Sequence, residues 1–288
     1  MLGMRLGALR QFAPRPMRFI RLPPQPASLE NLPTISVVTP AMNMVAYVDH
    51  SLRSVLDQRY PKLEYVVMDG GSKDGTAEVI KSYAPLLLHS ESGPDGGQAA
   101  AINAGFSYTR GELMGWLNAD DLLLPGALHF VGGYFRDHRE VDVIYGHRLL
   151  IDEQGREIGR WVLPAHDEAA FRWFDFIPQE TLFWRRSLWE RLGGLNSEFH
   201  FAMDWDLLLR MRLIGARFAR VPHYLGAFRV HAEQKTSALV ETGASEIEAL
   251  RSKCDEESDW QRARGRSVGW YILKHIAMNH YYRLRGWA

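Results

Sequence analysis

The chain has 288 residues, 46% of them hydrophobic, with 34 Lys and Arg balanced by 34 Asp and Glu, and one cysteine. Such a length buries a sizeable core in one large domain or two modest ones. The composition excludes wholesale disorder, and zero net charge excludes a globally basic nucleic-acid binder. The lone thiol, Cys254, supports neither an intrachain disulfide nor a cysteine zinc site, so the chain reads as cytoplasmic.

The charge is unevenly spread. Arg5, Arg10, Arg15, Arg18 and Arg21 precede the first acid, Glu30. Residues 1–33 therefore read as a basic, Pro/Arg-rich arm, either a free extension or a contact for anionic lipid. Its apolar residues come singly, unlike a secretory signal, and no run of about 20 apolar residues occurs to span a membrane.

Strand and helix patterns then alternate. Ile35-Ser36-Val37-Val38-Thr39 is a β-branched run stopped by Pro40, and Val48, Leu52, Val55 and Leu56 follow at helical spacing. Tyr65-Val66-Val67-Met68 ends at Asp69-Gly70, and Asp74-Gly75-Thr76 opens a helix. Leu86-Leu87-Leu88 reads as a third strand. A helix with Ala99, Ile102 and Phe106 on one face leads to the strand Leu113-Met114-Gly115-Trp116-Leu117. This alternation predicts an α/β fold with a mostly parallel central sheet flanked by helices.

Beyond it, residues 142–146 read as a strand and Asp152-Glu153-Gln154-Gly155 as a hairpin turn. After His231 the pattern is helical, giving a C-terminal extension over 235–288. In its last segment Trp270, Leu273, Ala277, Tyr281 and Leu284 form an apolar stripe. The stripe is expected to pack on its own domain, with an interfacial membrane helix as the competing reading.

Ligands of open parallel sheets bind at the carboxyl ends of strands. Three strands here end in polar or acidic residues: Thr39, Asp69 and Asn118-Ala119-Asp120-Asp121. Each alone is an ordinary turn or helix-cap signal. Together, such carboxylates repel one another unless a cation offsets them, and Mg²⁺ or Mn²⁺ suits oxygen ligands and phosphate.

These blocks, with Asp69-Gly70-Gly71-Ser72, Trp116-Leu117-Asn118-Ala119-Asp120-Asp121, Ala202-Met203-Asp204-Trp205-Asp206 and Phe228-Arg229-Val230-His231, resemble family 2 glycosyltransferases, inverting nucleotide-sugar enzymes of GT-A fold. The resemblance covers residues 34–234. It implies that Thr39, Pro40 and Asp69 contact the nucleoside, and that Asp95, Gln98 and Asn103 line the donor site. Asn118, Ala119 and Asp120 occupy the family's Asp-x-Asp motif, with Asn118 in the uncharged first position. Asp120, Asp121 and His231 are then the implied metal ligands, and Arg229 and His231 approach the diphosphate.

Asp204 matches the family's catalytic base, although Met203 replaces the preceding glutamate. Helical spacing offers a separate argument. Asp206 is four residues from Arg210 and can pair with it on an exposed face, whereas Asp204 shares an arc with Leu207, Leu208 and Met211. Burial there would make it a better proton acceptor.

The resemblance thus implies transfer of one hexosyl or N-acetylhexosaminyl unit from a nucleoside-diphosphate donor, UDP-sugar favoured, to a glycan or lipid-linked acceptor at the membrane's inner face. The alternative is a catalytically silent nucleotide-sugar-binding or scaffold subunit, which Asn118 and Met203 would suit. A dinucleotide-binding oxidoreductase is excluded by the absence of glycine in Pro40-Ala41-Met42-Asn43-Met44. Donor and acceptor specificity is expected around residues 171–179, where Trp161, Trp173, Phe174 and Trp184 either stack on sugar or fill core, at least half of them core.

Overall fold

The computed structural model describes residues 9–18, 22–234, 240–253 and 260–285; Arg5, Arg21 and Cys254 lie outside them. Alternate side chains of β1 (Ile35–Ala41) point to opposite faces of a sheet, and both faces are covered. Val37 packs in one cluster with Val48, Leu52 and Val55, and Val38 in another with Ile102 and Phe106. The first cluster is supplied by α1 (Val48–Leu56) and the second by α3 (Gln98–Ser107), so helices sandwich the sheet as the alternating pattern predicts.

The remaining strands are β2 (Leu63–Asp69), β3 (His89–Ser92), β4 (Leu113–Trp116), β5 (Leu122–Leu123), β6 (Val143–Ile151), β7 (Glu157–Trp161), β8 (Phe183–Arg185) and β9 (Phe218–Arg229). They form one sheet in the order β3-β2-β1-β4-β8-β6-β9-β5, with β7 paired to β6. β3, β2, β1 and β4 are mutually parallel, while β8 enters antiparallel between β4 and β6. The other helices are α2 (Thr76–Tyr83), α4 (Ala127–Asp137), α5 (Glu168–Phe171), α6 (Arg186–Leu192), α7 (Met203–Leu213), α8 (Val240–Lys253) and α9 (Trp260–Leu284).

Two strand boundaries differ from the sequence reading. β1 runs through Pro40 to Ala41, because β4 pairs only with Ile35 to Val38 and leaves that side of Pro40 without a ladder partner. The Leu86-Leu87-Leu88 run is not a strand. Ala84–Leu86 forms a short 3₁₀ turn with Pro85 near its start, and the edge strand begins three residues later at His89. The Asp152-Gly155 hairpin does form, with Gly155 in the left-handed region at φ 76°.

The two ends of the chain pack on this sheet. The arm lies along β7: Gln11 and Phe12 donate backbone N–H groups to the Ile158 carbonyl, and Arg15 pairs with the buried Glu157 carboxylate at 2.7 Å. Leu250 of α8 and Tyr271 of α9 enter the same core cluster as Val38, and Tyr271 stacks on Phe176 with ring centroids 4.2 Å apart.

The expected packing of the C-terminal stripe is reversed. The side of α9 that faces the domain carries Tyr271, His275 and Tyr282, whereas Trp270, Leu273, Ala277, Tyr281 and Leu284 are exposed. Counting apolar residues misplaces the face because the buried one is built from residues with polar atoms. Burial lowers the pKa of His275 to about 4, which leaves a neutral ring within hydrogen-bond distance of Asn279. No helix among the described residues is long and apolar enough to cross a membrane.

Candidate active site

The carboxyl ends of β1, β2 and β4 open onto a cavity of about 1230 Å³. Pairing of β5 with β9, Leu122 opposite Ala227 and Leu123 opposite Gly226, brings the residues after β4 against those after β9. As a result Asp120 Oδ2 lies 2.9 Å from His231 Nε2, although the two are 111 residues apart. The His231 ring is also held by Tyr47, with centroids 4.8 Å apart, and its backbone N–H is held by Gln234.

Beneath this pair lies a buried ionic layer. Asp121 Oδ1 accepts the Arg229 backbone N–H at 3.0 Å. Burial, then the Asp120 and Glu180 charges, push the Asp121 carboxyl well above the usual carboxylate range. Arg148 Nε donates to Glu180 Oε1 at 2.7 Å, and its guanidinium also lies over the Trp161 and Phe228 rings. Arg148 and Glu180 line the cavity and are site residues the sequence reading missed. The one available signal was a charged residue inside the apolar β6 run, since arginine is rarely buried unless paired.

The predicted donor-site residues divide into two groups. Pro40, Asp95, Gln98, Asn118, Ala119 and Asp120 line the cavity. Asn118 links to three neighbours: Gln98 Nε2 donates to its Oδ1 at 2.7 Å, and its Nδ2 donates to Gln179 at 3.2 Å and to Asp121 at 3.4 Å. An aspartate at this position would accept from Gln98 but could not donate to Asp121, so the asparagine fits its surroundings.

Thr39, Asp69, Asn103, Arg229 and His231 lie behind the wall. Thr39 Oγ1 is buried against the Tyr65 hydroxyl at 2.9 Å. The Asp69 carboxylate accepts hydrogen bonds from the Ser72 N–H, the Ser72 hydroxyl and the Ser92 hydroxyl, and so orders the loops at the rim. Asn103 binds both backbone groups of Leu195, tying α3 to the Gly193-Gly194 turn. The Arg229 guanidinium is engaged by the carbonyls of Asp120, Asp152 and Glu153 rather than directed into the cavity.

Asp204 also lines the cavity, in the first turn of α7, half-buried and with Oδ1 accepting the Trp205 N–H at 2.9 Å. It is not sunk in an apolar arc, and the Asp206–Arg210 pair is not on an exposed face. Asp206 is itself buried, and Arg210 also donates to the Leu192 and Gly194 carbonyls. The helical-arc argument fails because α7 is buried nearly all round, which leaves no solvent face to define the arc. Met203 fills core beside it.

The start of α7 is fastened by a residue of the C-terminal extension. Glu246 of α8 accepts the backbone N–H groups of His200, Phe201 and Ala202, each at 2.8 Å. Burial alone would raise the Glu246 carboxyl, but these three donors hold it below its ordinary value. Replacing Glu246 by Ala is expected to cost about 1 kcal/mol, as loss of a helix cap does. A carboxylate depressed in the folded state contributes above its unfolded pKa and loses that contribution as pH falls through the folded value. The stability gap between wild type and Glu246→Ala, read by denaturant titration, should therefore be full at neutral pH and close in acid.

Residues 36–193, more than half of the chain, match the profile described as Glycosyl transferase family 2. The chain belongs to glycosyltransferase family 2. Among similar proteins, a "PGL/p-HBAD biosynthesis glycosyltransferase" of Mycobacterium bovis is 28% identical over 201 residues, 68% of this chain and 76% of that one. Two solved structures share the GT-A fold. S. aureus TarS residues 1–349 in complex with UDP aligns with TM-score 0.61 and 19% identity over 85% of this chain and 72% of that one. The mannosyltransferase PcManGT from Pyrobaculum calidifontis, in complex with GDP-Man and Mn²⁺, aligns with TM-score 0.62 and 18% identity over 93% and 79%. The chain spans 43% of a longer TarS chain.

In this family 2 transferase the donor atoms suit a divalent ion only in part. Asp120 and His231 converge, while Asp121 is turned to Arg229, and no cluster of three or more His, Cys, Asp or Glu ligands forms among the described residues. Asp120 is the member of the pair that lines the cavity and would be the carboxylate to hold such an ion, with His231 behind it. Of the aromatic residues singled out in the sequence, Trp161 and Phe174 line the cavity of the transferase. Trp173 and Trp184 are buried away from it.

Proposed function

We propose that the chain is an inverting transferase moving one hexosyl or N-acetylhexosaminyl unit from a nucleoside-diphosphate donor to an acceptor hydroxyl, in cell-surface polysaccharide or glycolipid synthesis. The observation that carries this reading is that Asp120, backed by His231 at 2.9 Å, and the Asp204 carboxylate line one cavity. UDP is the favoured nucleotide, since a structural neighbour is described in complex with it.

The donor lies at the carboxyl ends of β1, β2 and β4, with Pro40, Asp95 and Gln98 around the nucleoside. Asn118 offers the ribose the second lone pair of its Oδ1, held in place by Gln98 on that oxygen and by Gln179 on the amide nitrogen. Asp120 and His231 would hold Mg²⁺ or Mn²⁺, which would supply neutralisation of the diphosphate charge. On the acceptor side, Asp204 takes the proton of the attacking hydroxyl. The acceptor oxygen bonds to C1, the C1–phosphate bond breaks, and its electron pair leaves with the nucleoside diphosphate. A single displacement inverts C1.

Water can replace the acceptor in the absence of a known one. Proton NMR of donor hydrolysis should show the anomer opposite to the donor's as the first free sugar, before mutarotation. First appearance of the same anomer would contradict the single displacement. Absence of any hydrolysis or transfer, with nucleotide binding intact, would favour the silent binding subunit.

A further inference from the structure

The outward face of α9 is largely apolar and exposed. Trp270, Leu273, Ile276 and Leu284 are 60%, 58%, 58% and 76% exposed. Their spacing puts them on one side of a helix together with Ala277, Tyr281 and His280, over a length of about 22 Å at 1.5 Å per residue. Soluble surfaces scatter such residues singly, whereas a continuous stripe marks a contact.

The charge around the stripe is predominantly basic. No Asp or Glu occurs after Asp259. At about 100° per residue, Arg283 falls on one edge of the stripe and Arg285 on the other, beside Lys274, which pairs with Asp167 at 2.9 Å. Exposed Arg266 continues the stripe toward the helix start. The basic N-terminal arm, which holds no acid before Glu30, joins the same surface. Met17 and Leu22 pack with Met278 and Tyr282, and Arg283 reaches Gln11 at 3.4 Å. The two acid-free ends of the sequence thus meet in space, with exposed Arg10 and Arg18 on the arm.

We infer that this face docks on an anionic bilayer surface, with α9 lying in the plane of the headgroups. The apolar stripe is buried among the acyl chains and the flanking arginines meet lipid phosphates. The excess of arginine over acid beside the stripe favours an anionic lipid surface as its occupant, since each Lys or Arg near such a surface adds to binding. The arm also connects this face to the cavity, because Leu9 lines it beside Trp161. Bilayer docking would therefore set the cavity close to a lipid-linked acceptor, a consequence that rests on the proposed transfer reaction.

The test is co-sedimentation of the full chain with phosphatidylcholine vesicles, plain or carrying about 30% phosphatidylglycerol. Wild type should partition at least about tenfold more strongly onto the anionic vesicles, and less so as salt is raised. The triple variant Leu273→Glu, Ile276→Glu, Leu284→Glu should lose at least about tenfold of that binding, with its melting temperature unchanged because all three side chains are exposed. Arg283→Ala with Arg285→Ala should weaken binding to anionic vesicles only. Failure of wild type to sediment, or equal binding by the triple variant, would overturn the inference. So would a wild-type dimer that the triple variant dissociates, since a second copy would then be the occupant. Vesicle binding is read without donor or acceptor, so its failure would leave the transfer reaction standing.

Discussion

Asp204→Asn should retain UDP affinity to within about twofold and lose transfer by about 10³-fold, the upper part of the range for removing a general base. The substitution is isosteric, and the Asn side-chain oxygen can still accept the Trp205 N–H that Asp204 Oδ1 accepts now. What it removes is the ability to take a proton from the acceptor hydroxyl. Asp206→Asn, two residues on, provides the contrast. It weakens a buried pair with Arg210, whose guanidinium also holds the Leu192 and Gly194 carbonyls, so it should lower stability first. Calorimetry for UDP and a donor-turnover assay separate the two: binding kept and turnover lost for Asp204, and a lowered melting temperature for Asp206. Near wild-type turnover by Asp204→Asn would show that the base lies elsewhere.

The second large effect is expected at Asp120 and His231. Asp120→Asn and His231→Ala should each lower turnover by about 10²–10³-fold, the scale of losing one stabiliser of developing charge. Each should also abolish most of the gain in UDP affinity that Mn²⁺ gives wild type. The two losses should be strongly non-additive, because Asp120 Oδ2 and His231 Nε2 already meet at 2.9 Å and act on one group. Independent, additive losses in the double variant would mean that the two residues do not share a ligand. Asp121→Asn should behave differently, since that carboxyl is buried on the Arg229 backbone and its loss disturbs the layer beneath the site.

How far the sequence reveals such a site depends on which interactions are local. The parallel strands, α3 and the polar strand ends were legible because period-2 and period-3.6 patterns are set within a few residues. The meeting of Asp120 with His231 was implied by family resemblance alone, since it depends on β5 pairing with β9 across a hundred residues. Asp69 and Asn103 show the converse. Their positions in recognised motifs suggested donor contacts, but their side chains are engaged by Ser72, Ser92 and Leu195, which only the folded chain brings near. The periodicity argument for Asp204 failed because α7 is enclosed, and the same arithmetic placed the α9 stripe inward although the face that packs on the domain is built from Tyr271, His275 and Tyr282. Arg148 and Glu180 carry no motif, and each is intelligible only through the other.

The central claim is that the cavity binds a nucleoside diphosphate with the help of a divalent ion at Asp120 and His231. Thermal denaturation of the full chain with UDP, GDP and other nucleoside diphosphates, each with and without Mn²⁺, tests it most directly. A nucleotide present at 100 times its Kd stabilises by about 2.7 kcal/mol, which is a shift of several degrees for a chain of this size. The account predicts such a shift for UDP with Mn²⁺, a smaller one without it, and loss of the difference in Asp120→Asn. No shift with any nucleotide, with or without the metal, would contradict it.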